Sequence, residues 1–399
     1  MSVPFSISSS SYGSSSSGSS DCKSGKVLHL KGQPLLIEQL IGKGTFAEVY
    51  TARHEASRKL FALKFLPQDS DFDRRIMESE VEIVRLVTQN VAYRKHFPRI
   101  FCITSWNQYR CIVMEKMDID LFSFLNANDG RPIDLHHIRN IGKQVLSATS
   151  YLHSLGIIHT DIKPENIVIA NALKSPYDVR LIDLGCAIMS SASPSLTGRQ
   201  IQSMFYRSPE VLLGSPFNEA IDIWSIGCVL AELYMGFPLY PGQSQRQMIK
   251  LITSTQGFPP QLEQSMYWTK YISVVKRQTE LGKTFRAYRL KTEQEYLTNG
   301  GSMSDLRFER LPHFYKLSEI CGFGLNYCLK GGIRDSDMEF ASFLDRLLNL
   351  SSNKRYTARE ALQDSFLTQH KSDRTIMDGT SDTRTFKKAV RKSKSLVIL

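Results

Sequence analysis

The sequence predicts an α+β chain with room for two lobes, because strand-like segments come first and helical ones follow. Between Leu35 and Phe65, apolar runs broken by a glycine-rich turn read as strands. From Asp134 the apolar positions Ile138, Ile141, Val145, Ala148 and Leu152 recur every three or four residues, as on a helix with one buried face. The 399 residues are 42% hydrophobic, enough for a sizeable core.

Composition narrows the function. Seven cysteines, an odd number with no CxxC or Cys/His metal spacing, read as reduced thiols rather than a disulfide framework or a zinc site. There is no charged-then-apolar start and no apolar run of about 18 residues, so an intracellular protein without a membrane span is expected. A net charge of +11 favours acidic partners, yet no helix-turn-helix, zinc or aromatic-basic module marks direct nucleic-acid binding. The first 20 positions hold 12 serines, so residues 1–28 are expected to form a disordered tail. Residues 371–399, with six basic residues and no acid across 384–394, are expected to be a second tail.

In chain order, residues 35–41 are the first strand, and Gly42-Lys43-Gly44-Thr45-Phe46-Ala47-Glu48-Val49 turns into the second. Its glycines let backbone amides approach a triphosphate, with Phe46 at the tip and Val49 against a base, although a structural hairpin fits the same residues. Phe61-Ala62-Leu63-Lys64-Phe65 carries one lysine in an apolar strand, and a buried lysine needs an anionic partner. The helical stretch 74–88 offers Glu78, Glu80 and Glu82. Residues 111–117 are an apolar strand that turns polar. Asp134 caps a helix that ends at Gly156. Residues 220–227 are apolar on nearly every face and so buried, which leaves Asp222 in need of backbone donors.

Between the long helix and the short strand 167–169 stands His159-Thr160-Asp161-Ile162-Lys163-Pro164-Glu165-Asn166. A carboxylate, a cation and a metal-binding amide at spacings 0, +2 and +5 suit phosphoryl transfer. Asp161 can orient a hydroxyl while Lys163, and Mg2+ held by Asn166, counter charge on a γ-phosphate. With Pro164 and Glu165 included, the string resembles a protein-kinase catalytic loop.

That resemblance extends over residues 35–367 and implies the two-lobed kinase fold, with ATP and Mg2+ between the lobes. Residues 35–117 would be the N-lobe with its hinge, and 118–370 the C-lobe, with an insert at about 261–330. Ile41, Gly42, Lys43, Gly44 and Val49 would cover the nucleotide. Ala62, the gatekeeper Met114, the backbone of Glu115 and Met117, and Val168 would hold the adenine. Lys64 would reach the phosphates and pair with Glu80, with Glu82 as its competitor. Asp183 of Asp183-Leu184-Gly185, seventeen residues beyond Asn166, would be the second metal ligand. Asp222 would anchor the catalytic loop, and Glu210 would pair with Arg355. The basic residues Lys276, Arg277, Lys283, Arg286 and Arg289 of the insert would form either a docking surface or a plain solvated face.

Within kinases the chain resembles the CMGC group, above all the homeodomain-interacting protein kinases. The carriers are Gln202-Ser203, Tyr206-Arg207, Leu213-Gly214-Ser215-Pro216-Phe217, Gly236-Phe237-Pro238-Leu239-Tyr240-Pro241-Gly242 and Thr255-Gln256-Gly257-Phe258-Pro259. The likeness implies protein substrates with Ser/Thr acceptors, a proline preference through Arg207, and transcription regulators as partners. Ala47 replaces the third glycine, Leu184 the usual Phe, Thr160 an arginine, Gln200 the activating tyrosine and Met204 a clamp arginine. The last three changes imply an activation segment held by neutral contacts, with Gln200 bonding Arg207 and Ser203 bonding Asp161. The competing reading is a catalytically weak scaffold.

Overall fold

A computed structural model describes residues 23–44, 47–172, 174–278, 283–306, 317–319 and 335–368. Phe46, much of the expected insert and both distal tails lie outside these residues. Strands β1 (Val27–Leu30), β2 (Gln33–Lys43), β3 (Glu48–His54), β4 (Leu60–Pro67), β5 (Ile100–Trp106) and β6 (Tyr109–Glu115) build one antiparallel sheet in the order β1-β2-β3-β4-β6-β5. Alternation sorts the two faces of this sheet. Phe61, Leu63 and Phe65 of β4 join Leu28, Leu35, Ile37 and Tyr50 in an outer cluster, while Ala62 and Lys64 point the other way.

The expected tail over 1–28 is corrected at its end. Residues 23–28 are ordered: Val27 pairs with Leu36 and Leu28 with Leu35, and Leu28 is buried in the outer cluster. A four-residue Val-Leu-His-Leu strand beside a serine run gave too short a pattern to register. Helix α1 (Asp71–Thr88) starts before the expected residue 74 because Ser70 and Asp73 form a capping box. Its Val81, Val84 and Val87 enter the large core shared with the helical lobe.

That second lobe is built on α2 (Leu121–Ala127), α3 (Leu135–Ser154), α4 (Pro209–Leu213), α5 (Ala220–Met235) and α6 (Gln245–Gln256). Every residue of α5 from Ile221 to Met235 is buried, so it is the axis of the lobe. Two small sheets accompany these helices. β7 (Ile119–Asp120), β9 (Ile167–Asn171) and β10 (Ser175–Leu181) run in the order β10-β9-β7, and β8 (Ile157–Ile158) pairs with β11 (Ile188–Met189). The described part of the insert includes a two-stranded hairpin, Ile272–Gln278 with Thr284–Leu290, and a short helix, Glu293–Thr298.

Candidate active site

The loop 159–166 is suspended from α5. The Asp222 carboxylate, fully buried, accepts the backbone N–H of His159 (2.8 Å) and of Thr160 (2.9 Å), and lies 2.9 Å from His153 Nε2. These donors are the ones a buried carboxylate requires. They also hold Thr160 at φ 63°, a left-handed conformation that costs a β-branched residue about 1–3 kcal/mol and persists only where its surroundings enforce it. Next in the chain, Asp161 accepts a hydrogen bond from the Ser203 hydroxyl (2.7 Å) and an ion pair from Lys163 (2.8 Å). Lys163 Nζ also donates to Ser203 Oγ at 3.1 Å. Asn166 Nδ2 donates to the Asp161 carbonyl (2.8 Å) and carboxylate (3.1 Å), which leaves its oxygen as an acceptor facing no described donor.

A second cluster comes from the sheet. Lys64 lies opposite Val49 across β3 and β4, and its ammonium is 2.6 Å from Glu80 and 2.7 Å from Asp183. Of the three α1 glutamates, Glu80 alone is buried and takes the lysine, whereas Glu78 and Glu82 face solvent. Burial works against the charge on Lys64, but the two carboxylates outweigh it and raise its pKa. Burial would likewise raise Asp183, yet Lys64 dominates and holds that carboxyl at about 2. Gly185 closes the cluster: a Cβ there would stand 3.0 Å from Glu80 Oε2 and 3.2 Å from Lys64 Nζ, so a larger residue would push these side chains aside.

Ile41, Gly42 and Lys43 lie at the end of β2, with Gly42 opposite Val49 and Lys43 opposite Glu48, and the turn between them is closed by the Gly44 N–H to the Ala47 carbonyl (2.9 Å). Ala62 faces Met114 across β4 and β6. The Glu115 N–H is already given to the Arg99 carbonyl (2.9 Å), so Glu115 has only its carbonyl to offer, while no described group takes the Met117 N–H. Lys116 Nζ sits on the Met117 carbonyl. Val168 is on β9, paired with Asp120 just past that segment.

The protein kinase domain profile matches residues 35–367. The chain belongs to the protein kinase family. It is similar to homeodomain-interacting protein kinase 1 of Caenorhabditis elegans, 36% identical over 83% of this chain and 40% of the relative. Homeodomain-interacting protein kinase 2 of Mesocricetus auratus is 33% identical over 89% of this chain and 30% of the relative. Homeodomain-interacting protein kinase 4 of Mus musculus is 38% identical over 56% and 36% respectively. The chain thus spans less than half the length of these relatives.

The segment after Gly185 is tied to the loop 159–166 and to α5 by hydrogen bonds. The Thr160 hydroxyl donates to the Cys186 carbonyl at 2.6 Å, linking the loop 159–166 directly to the segment. The expected Gln200–Arg207 bond is not made: Gln200 is exposed, and Arg207 donates through Nε (3.2 Å) and Nη2 (2.8 Å) to the carbonyl of Gln202. Gln202, at φ 64°, turns its carbonyl toward Arg207 while its buried amide reaches Ser225 Oγ (2.8 Å) and the Ile221 carbonyl (3.0 Å) and accepts the Ser208 N–H (3.0 Å). Glu210 and Arg355 form the expected buried pair, bidentate at 2.6 and 3.0 Å. The sequence reading missed Gln202 because nothing in a residue string shows the sign of a φ angle. A buried-type position beside Ser203, filled by an amide, was the available hint.

Proposed function

We propose that the chain transfers the γ-phosphate of ATP to serine or threonine hydroxyls followed by proline, with an activation segment that works without tyrosine phosphate. The observation that carries the reading is the joining of Asp161, Lys163, Asn166 and Ser203 in one hydrogen-bonded group, beside Lys64 held between Glu80 and Asp183. The donor set fits the cofactors. Asp183 and the open oxygen of Asn166 are hard oxygen ligands of the kind Mg2+ takes. Among the described residues no group of three His, Cys, Asp or Glu could hold a metal alone, so phosphate oxygens would complete the set. When bound, Mg2+ would neutralise charge on the transferring phosphate. Lys64 would hold the phosphates, kept charged by its two carboxylates. Asp161 would orient the acceptor hydroxyl, as it already does the Ser203 hydroxyl, and Lys163 would stabilise charge beside it. Retention of all four of Lys64, Asp161, Asn166 and Asp183 in bonded positions favours catalysis over a scaffold role. The relatives' names tie those proteins to homeodomain proteins, and we extend this to transcription regulators as partners here.

Proline preference has a local cause. With the Gln202 carbonyl taken by Arg207, an N–H on the residue after the acceptor would meet no partner, and proline has no N–H to lose. An unsatisfied donor costs about 1–3 kcal/mol, so kcat/KM for a Ser-Pro peptide is expected to exceed that for its Ser-Ala counterpart roughly tenfold. A peptide array showing no enrichment for proline would remove this assignment. Protein made in bacteria and treated with tyrosine phosphatase is expected to keep its full activity. Activity that vanishes on treatment would mean that a tyrosine elsewhere orders the segment.

A further inference from the structure

Lys23 precedes the family match at residue 35, yet its side chain is only 3% exposed. Its ammonium lies 4.0 Å from the centroid of the Tyr109 ring and 5.6 Å from those of Tyr50 and Phe65, and 2.7 Å from Glu48 Oε2. The box is assembled by ring contacts of its own: Phe65 meets Tyr50 edge-on at 5.8 Å and Tyr109 at 5.9 Å. The segment that delivers Lys23 is fixed by the Gly25 N–H to the Ile37 carbonyl (2.8 Å), the Ile37 N–H to the Lys26 carbonyl (2.9 Å) and Trp106 Nε1 to the Val27 carbonyl (3.1 Å).

A plug that served only stability would be apolar, because Leu or Met fills an aromatic box without stripping water from a charge. The cation finds its counter-charge at one particular place. Glu48 is the first residue of β3, opposite Lys43 at the end of β2, and it also pairs with Lys43 at 3.3 Å. Both stems of the glycine-rich turn therefore meet at Glu48. The neighbouring residue Val49, which alternation sends to the opposite face, lies opposite Lys64. The chain Lys23–Glu48–Lys43 thus ties the two stems of the turn together on the outer side of the sheet.

We propose that Lys23 is a positioning residue for nucleotide binding, an internal ligand that sets the glycine-rich turn from outside the matched kinase domain. This rests on the reading of that turn as the nucleotide cover. The test uses the full chain, a fluorescent ATP analogue for Kd, and steady-state kinetics. Lys23→Met keeps the apolar stem and removes the charge; it is expected to raise Kd and KM for the nucleotide roughly three- to tenfold with kcat within about twofold. Lys23→Arg, which keeps a cation over the rings, is expected to restore wild-type values. Unchanged Kd and KM in Lys23→Met, even with a lowered melting temperature, would overturn the proposal, as would equal losses in the Met and Arg variants. If Lys23→Met does not fold, Tyr109→Leu, which removes the nearest ring, decides in the same terms. Wild-type protein that binds no analogue would instead defeat the kinase reading itself.

Discussion

Asp183→Asn is expected to lower kcat by on the order of 10³ or more while the protein stays folded, because the loss is electrostatic stabilisation of the transition state rather than packing. The side chain is 42% exposed, so an amide in its place buries no unpaired charge. With its carboxyl held at about 2, Asp183 is ionised at any working pH, and the variant removes a full negative charge from the proposed metal-ligand pair. Lys64→Met should lose as much activity but is the less clean experiment, since Glu80, 4% exposed, would be left without its cation. Transfer of radiolabelled phosphate to a generic basic protein, read beside a melting curve, makes the comparison. Near-wild-type transfer in both variants would remove these residues from the mechanism.

Arg355→Met is expected to destabilise the fold by about 3–5 kcal/mol, the usual cost of leaving one member of a buried ion pair alone. Arg355 makes two bonds to Glu210, donates to the Ala220 carbonyl (2.8 Å) and the Asn349 carbonyl (3.0 Å), and lies over the Trp224 ring. For a domain of this size the melting temperature should fall on the order of 10 °C. Glu210 follows Arg207 and Ser208 closely, so turnover should fall with it. The double variant Glu210→Gln/Arg355→Met should recover part of the loss, because the orphaned charge is gone. A melting temperature within about 2 °C of wild type in the single variant would show that the pair is not what anchors the segment.

Much of this site could be read from the chain because its residues announce unmet needs. A lysine in an apolar strand requires a carboxylate, and Glu80 supplies it; Asp222 in an all-apolar helix requires donors, and the loop 159–166 supplies them. Glu210 and Arg355 are legible by another route, the likeness of their positions to the kinase pattern. What stayed hidden depends on geometry that no residue type encodes. Gln202 rather than Gln200 meets Arg207 because a left-handed backbone at Gln202 redirects its carbonyl. Lys23 was assigned to a tail because its three rings come from positions 50, 65 and 109, which meet only once the sheet is paired. Short strands such as Val27–Leu30 gain their stability from neighbours, not from their own pattern.

Several of the bonds that tie the segment after Gly185 in place, from Thr160 to Cys186 and from the Gln202 amide to Ser225, Ile221 and Ser208, are between neutral groups. An arginine–phosphate clamp loses strength as ionic strength rises and the screening length shrinks to about 8 Å, but neutral hydrogen bonds in a buried site do not. On the proposed reading, order in this segment would be set by the polypeptide itself rather than by an added phosphate. Output from such an enzyme would follow the amount of protein made, the nucleotide it meets and the partners that bring it substrate.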